Sequence, residues 1–128
     1  MRLLIDSNRY SDMNRGDAEI IARFELADEL WLPFISHGEL LAGFAVGTQR
    51  ELNEALLASF LNRPNVSLLM ADEHTSAAYA ELWAAMRRIG KPIPTNDLWI
   101  AALAIQHNLV LDTGDKHFRD VPGLKLVD

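Results

Sequence analysis

The chain has 128 residues, enough for one domain with a continuous core, and nearly half of it (49%) is hydrophobic in periodic blocks, which argues against disorder. It has no cysteine, so disulfides and thiolate metal sites are excluded. A net charge of −6 is the wrong sign for holding nucleic acid on a broad basic surface, although it leaves room for a selective nuclease.

In chain order, short apolar runs predict strands at Leu3–Ile5, Leu30–Leu32, Val66–Leu69 and Val110–Leu111, with a weak edge strand at Lys125–Val127. Asp6, Ser7 and Asn8 follow the first strand and suit an Asx-type turn. Asp17 is placed to cap a helix over Ala18–Leu26, and Ser36 to cap one that runs to about Ala45. A third helix covers Arg50–Leu61, with Leu52, Ala55, Leu56 and Phe60 near one face. Asp72 or Thr75 starts a longer helix carrying Ala78, Leu82, Ala85, Met86 and Ile89, which Gly90 stops. Thr95 is placed to cap a last helix through His107, with Asn108 as its stop.

Strands alternating with helices imply a three-layer α/β/α domain over residues 1–128, with a central parallel sheet and right-handed crossovers. Two consecutive helices between the second and third strands form a helical-hairpin insertion, which would project beside a crevice or pack on a second subunit. Trp31, Trp83 and Trp99 suit a core or an interface. No apolar run spans a bilayer, and a carboxylate at position 6 comes too early for a signal peptide, so a cytoplasmic, membrane-free protein is expected.

Four acids stand where apolar segments give way to turns or helix starts: Asp6, Glu39, Asp97 and Asp115. Each has a structural explanation alone. Asp6 fits a turn, Ser36 to Glu39 fits a capping box, Asp97 complements a helix dipole, and Asp115 fits a loop. Together they can converge at the carboxyl ends of parallel strands. Such a cluster repels itself by about 4 kcal/mol per pair at about 4 Å, if the effective dielectric is near 20. A hard divalent cation, Mg²⁺ or Mn²⁺, removes that repulsion and can activate water. Ser7, Asn8 and Thr113 are placed to orient an acid, a water or a phosphate oxygen, with Asn96 a further option. Arg9 would reach RNA or a neighbouring carboxylate, and Asp112 reads as a solvated strand end rather than a fifth, peripheral acid.

The segments Leu4-Ile5-Asp6-Ser7-Asn8, Ser36-His37-Gly38-Glu39-Leu40-Leu41-Ala42-Gly43, Ile93-Pro94-Thr95-Asn96-Asp97-Leu98-Trp99-Ile100-Ala101-Ala102 and Leu111-Asp112-Thr113-Gly114-Asp115-Lys116-His117-Phe118, followed by Val121-Pro122-Gly123-Leu124, resemble PIN-domain ribonuclease toxins of the VapC type. The resemblance runs end to end. It implies a Mg²⁺- or Mn²⁺-dependent endoribonuclease with an RNA substrate, a homodimer, and inhibition by a small antitoxin protein. It also implies that Asp6, Glu39, Asp97 and Asp115 form the acidic site, with Thr113 at the usual hydroxyl position. Ser7 stands where the family commonly has threonine, Arg9 where it is often apolar, and Asp112 where an apolar strand residue is usual.

Three other readings compete. His37 and His117 lie near two acids and would allow metal-free acid–base cleavage. A phosphate-handling signalling or phosphatase domain would want an aspartate at position 8, where Asn8 stands, or a phosphoacceptor that Asp72 imitates only loosely, with Lys116 as its lysine. A catalytically silent PIN scaffold binding RNA or protein would not need all four acids.

Overall fold

Five strands, β1 (Arg2–Ile5), β2 (Glu29–Pro33), β3 (Val66–Leu69), β4 (Val110–Asp112) and β5 (Lys125–Leu126), form one parallel sheet in the order β3-β2-β1-β4-β5. They are described, for residues 1–128, in a computed structural model. β1 is central, with Leu4 beside Trp31 on one flank and Leu111 on the other. Its Leu3, Leu4 and Ile5 are fully buried, as an unbroken apolar run requires when both sheet faces are covered.

Alternation along β1 divides the core. Leu4 faces Leu82 and Met86 of α5 (Glu73–Arg88) and Leu98 and Leu103 of α6 (Thr95–Gln106). Leu3 and Ile5 face Tyr10 of α1 (Ser7–Asn14), Ile20 and Phe24 of α2 (Ala18–Leu26), and Leu57 and Phe60 of α4 (Arg50–Leu61). The remaining helix, α3 (Phe34–Val46), leaves β2 directly and pairs with α4 as the expected helical hairpin. Every residue from Ile100 to Ala104 is buried, so α6 is wrapped on all sides and its alanines admit close neighbours. No helix is long and apolar enough to cross a membrane.

Most predicted elements stand within a residue or two, with Gly90 (φ 70°) and Asn108 (φ 54°) ending α5 and α6 in left-handed backbone. Asp72 caps α5 through a reciprocal box with Thr75. Three local expectations are corrected. The turn at Asp6-Ser7-Asn8 is the start of α1, whose N-cap Asp6 accepts the Arg9 amide at 2.9 Å. Ser36 does not cap α3, which begins at Phe34 behind Pro33; Ser36 is fully buried inside the helix. Thr95 is likewise the first residue of α6, behind Pro94, rather than its cap. In both helices the preceding proline already fixes an extended entry, so the helix starts without a side-chain cap.

Trp83 departs from the core expectation: it is 43% exposed, with the Arg87 guanidinium 3.9 Å above its ring. Trp99 is partly buried and stacks on Tyr79 at 4.0 Å.

Asp112 is the largest correction. It is fully buried rather than solvated, because it shares the α1/α2 face of the sheet with two arginines. Arg23 donates to both of its oxygens at 2.9 and 2.8 Å, and Arg9 Nε donates at 3.0 Å. Arg9 also reaches Asp12 at 3.1 Å, so it takes the carboxylate option. A buried carboxylate stripped from such partners leaves uncompensated cations. Asp112→Ala is therefore expected to lower the unfolding free energy by about 3 kcal/mol, read from urea denaturation. A loss no larger than that of an exposed aspartate would mean that the network contributes nothing to the fold.

Candidate active site

Chain order sets the position of the site. From β1 the chain builds β2 and β3 on one flank, then crosses back to add β4 and β5 on the other. The order reverses between β1 and β4, and a crevice opens there at the carboxyl ends of the strands. Asp6 follows β1, Thr113 to Asp115 follow β4, Glu39 lies on α3 after β2, and Asp97 sits in the first turn of α6.

Asp6 is the innermost acid, 6% exposed. Desolvation pushes its pKa up, and the Asp112 charge adds to that; the Thr113 hydroxyl, the Arg9 amide and the Arg9 charge oppose it. The Thr113 hydroxyl donates to Asp6 Oδ2 through a short bond and accepts the Asp115 amide at 3.0 Å. One threonine thus ties the loop after β4 to the acid after β1.

Glu39 lies at the rim. Desolvation of its carboxyl, then the charges of Asp97 and Asp6, raise its pKa, while a hydrogen bond with Ser7 lowers it. Ser7 and Asn8 line a shallow depression with Ser11, Glu39, Leu40 and Gly43. The predicted capping role of Glu39 toward Ser36 is replaced by this contact with α1.

Asp97 also has a raised pKa, from desolvation first and the Asp115 charge in addition, opposed by a hydrogen bond with His117. Asp115 caps a 3-10 helix over Lys116–Asp120 by accepting the His117 amide at 2.9 Å. His117 then turns its ring back: Nδ1 lies 3.2 Å from Asp97 Oδ2 and 3.1 Å from Asp115 Oδ1. Sequence reading placed His117 near an acid but gave it no part in the metal site. The available signal was the Asp-x-His spacing beyond Thr113.

The structure therefore brings all four predicted acids to one edge and adds a histidine. Asn96 is exposed beside the cluster, as are Lys116 and Arg119. Ligand atoms of Asp97, Asp115 and His117 all lie within 4.8 Å of one another, and three carboxyls carry raised pKa values. A divalent cation fits that donor set, since oxygen donors suit Mg²⁺ and Mn²⁺ and a positive charge favours the ionised acids.

Comparison with known proteins gives this fold a family. The model of the PIN domain family matches residues 3–124. Ribonuclease VapC1 of Haemophilus influenzae (strain R2866) is 32% identical over 112 residues, covering 87% of this chain and 82% of that protein. Toxin FitB of Neisseria gonorrhoeae is 31% identical over 121 residues, covering 88% of this chain and 87% of that protein. The solved structure of VapBC-1 from nontypeable Haemophilus influenzae superposes with a TM-score of 0.88 at 28% identity, covering 100% of this chain and 98% of that one.

The raised pKa of Asp97 has a consequence for stability. A carboxyl that holds its proton more tightly when folded stabilises the fold fully below its unfolded pKa, and that contribution is lost as pH rises through the folded pKa. At pH 7 the ionised Asp97 opposes folding when no cation is bound. Asp97→Asn is expected to raise the urea midpoint at pH 7 in chelator, and the advantage is expected to vanish below about pH 4, the ordinary carboxylate range. An advantage independent of pH would mean that the charge of Asp97 is not its cause.

Proposed function

The chain belongs to the PIN domain family, and from that membership we propose that it is a divalent-metal-dependent endoribonuclease, the toxin of a toxin–antitoxin pair. The single observation that carries the reading is the convergence of Asp6, Glu39, Asp97 and Asp115 on the crevice between β1 and β4. Likeness to Ribonuclease VapC1 supports RNA as substrate, and likeness to Toxin FitB supports the toxin role. The activity is carried by a single domain, residues 1–128, working in the cytoplasm.

Asp97 and Asp115 would hold the ion, Mg²⁺ or Mn²⁺, together with Asp6, and Glu39 would either join them or orient the attacking water. When bound, such an ion lowers the pKa of water and neutralises charge on the scissile phosphate. Asp6 is fixed by Thr113 and the Arg9 amide, so its carboxylate does not reorganise during the reaction. Glu39, with its raised proton affinity and its place at the rim, orients the attacking water and accepts its proton at the carboxylate. Ser7 lines the same depression as Glu39, and Asn8 beside it presents an amide to the substrate. The exposed side chains of Lys116 and Arg119 meet the phosphates of the RNA.

Two partners complete the reading. A second copy of the chain forms a homodimer. A small antitoxin, supported by likeness to VapBC-1, lays an apolar helix beside the α3/α4 hairpin, where Val46, Leu52 and Leu56 are exposed. An arginine or lysine from that antitoxin enters the acidic crevice and pairs with its carboxylates.

The test is cleavage of RNA by purified protein with Mg²⁺ or Mn²⁺, followed by chelation. Cleavage is expected to stop on chelation, and Asp6→Asn or Asp115→Asn to lower the rate at least about 100-fold with an unchanged circular dichroism spectrum. Wild-type rates in either variant, or cleavage indifferent to chelator, would remove the acidic crevice from the mechanism.

A further inference from the structure

The contact between His117 and the two aspartates is chemically incomplete. Both oxygens lie near the same ring nitrogen, at 3.2 and 3.1 Å. An imidazole nitrogen carries at most one proton, so it cannot give each carboxylate a full hydrogen bond. Three donors thus converge on a small volume, all within 4.8 Å, and a cation among them would satisfy all three at once.

The backbone under His117 is well fixed for such a role. Its amide bonds Asp115 at 2.9 Å, and the next residue, Phe118, is buried at 1% exposure and packs into the α5/α6 side of the core. The ring itself is 54% exposed, so it meets little resistance in adjusting to a ligand. The same short helix therefore presents Asp115 and His117 toward Asp97 as one unit.

We propose that His117 is a direct ligand, through Nδ1, of the divalent ion held by Asp97 and Asp115, and that this nitrogen biases the site toward Mn²⁺ over Mg²⁺. The proposal rests on the metal-dependent reading above and adds a ligand and an ion class to it. Mg²⁺ is a small hard ion that keeps to oxygen donors and retains its waters. Imidazole suits first-row transition ions, and Mn²⁺ accepts carboxylate oxygen readily as well. Replacing one oxygen donor by nitrogen therefore costs Mg²⁺ more than Mn²⁺.

The test uses the full chain, stripped of metal, titrated calorimetrically with MnCl₂ and with MgCl₂. Wild type, His117→Ala and His117→Asp are compared, and pulsed electron paramagnetic resonance of the Mn²⁺-loaded proteins reads nitrogen coupling. Loss of an outer-shell partner alone costs about 10–100-fold in affinity, so His117→Ala is expected to weaken Mn²⁺ at least about tenfold. Mg²⁺ is expected to change by less than about threefold, because it gains little from nitrogen. The ¹⁴N modulation present in wild type should be absent from His117→Ala at saturating Mn²⁺, and His117→Asp should shift the preference back toward Mg²⁺. An unchanged Mn²⁺/Mg²⁺ ratio or unchanged nitrogen coupling in His117→Ala overturns the proposal, and chelation-sensitive RNA cleavage in the same preparation would leave the nuclease reading standing. Failure of wild type to bind either ion overturns both.

Discussion

A parallel sheet that reverses its strand order beside its central strand must open at that point, and the crevice between β1 and β4 follows from this constraint. The chain uses the opening to gather acids from four separate segments at one edge. None of the four is near another in sequence. Their proximity is a product of topology, and it is maintained by burial of β1 and of the Ile100–Ala104 stretch of α6. The Thr113 hydroxyl adds a direct link, joining Asp6 to the loop that carries Asp115.

Negative charge is handled in two different ways around this edge. Asp112, one residue before Thr113, is fully buried and neutralised by Arg9 and Arg23. Two acids of the crevice receive side-chain hydrogen bonds, Asp6 from Thr113 and Asp97 from His117, yet Asp6, Glu39 and Asp97 keep raised pKa values. Burial is the first cause of each shift, and neighbouring charges add to it, Asp115 on Asp97 and both Asp97 and Asp6 on Glu39, so the hydrogen bonds do not restore ordinary values. Arginines therefore neutralise Asp112 behind the site, while Asp97 and Asp115 pair only with His117. Arg9 belongs to both halves, since its amide serves Asp6 and its guanidinium serves Asp112.

The fold was legible where the pattern is periodic. α4 and β3 have the bounds expected from their apolar spacing, and Gly90 and Asn108 mark helix ends through backbone that few other residues adopt. α1 was hidden because its sequence is polar and only Tyr10 is buried, so no apolar stripe announces it. Ser36 misled because a serine three residues before a glutamate is a capping signal, but the helix already starts behind Pro33, three residues earlier. Asp112 misled because a charged residue at a strand end is ordinarily solvated; its partners Arg9 and Arg23 lie far away in sequence on two other helices. The convergence of the four acids could be expected from their common position after apolar segments. The closing of His117 onto Asp97 could not, since it depends on the turn of a short 3-10 helix.

The central claim is that the acidic crevice is an electrostatic burden that a divalent ion relieves. Thermal and chemical unfolding of wild type and Asp97→Asn, each with and without Mn²⁺, tests it most directly. At about 100 times its dissociation constant, an ion that binds only the native state should stabilise wild type by roughly 2.7 kcal/mol. Asp97→Asn should match or exceed wild type without the ion and gain much less from it. Equal gains in the two proteins would contradict the account, because the ion would then be acting somewhere other than this crevice.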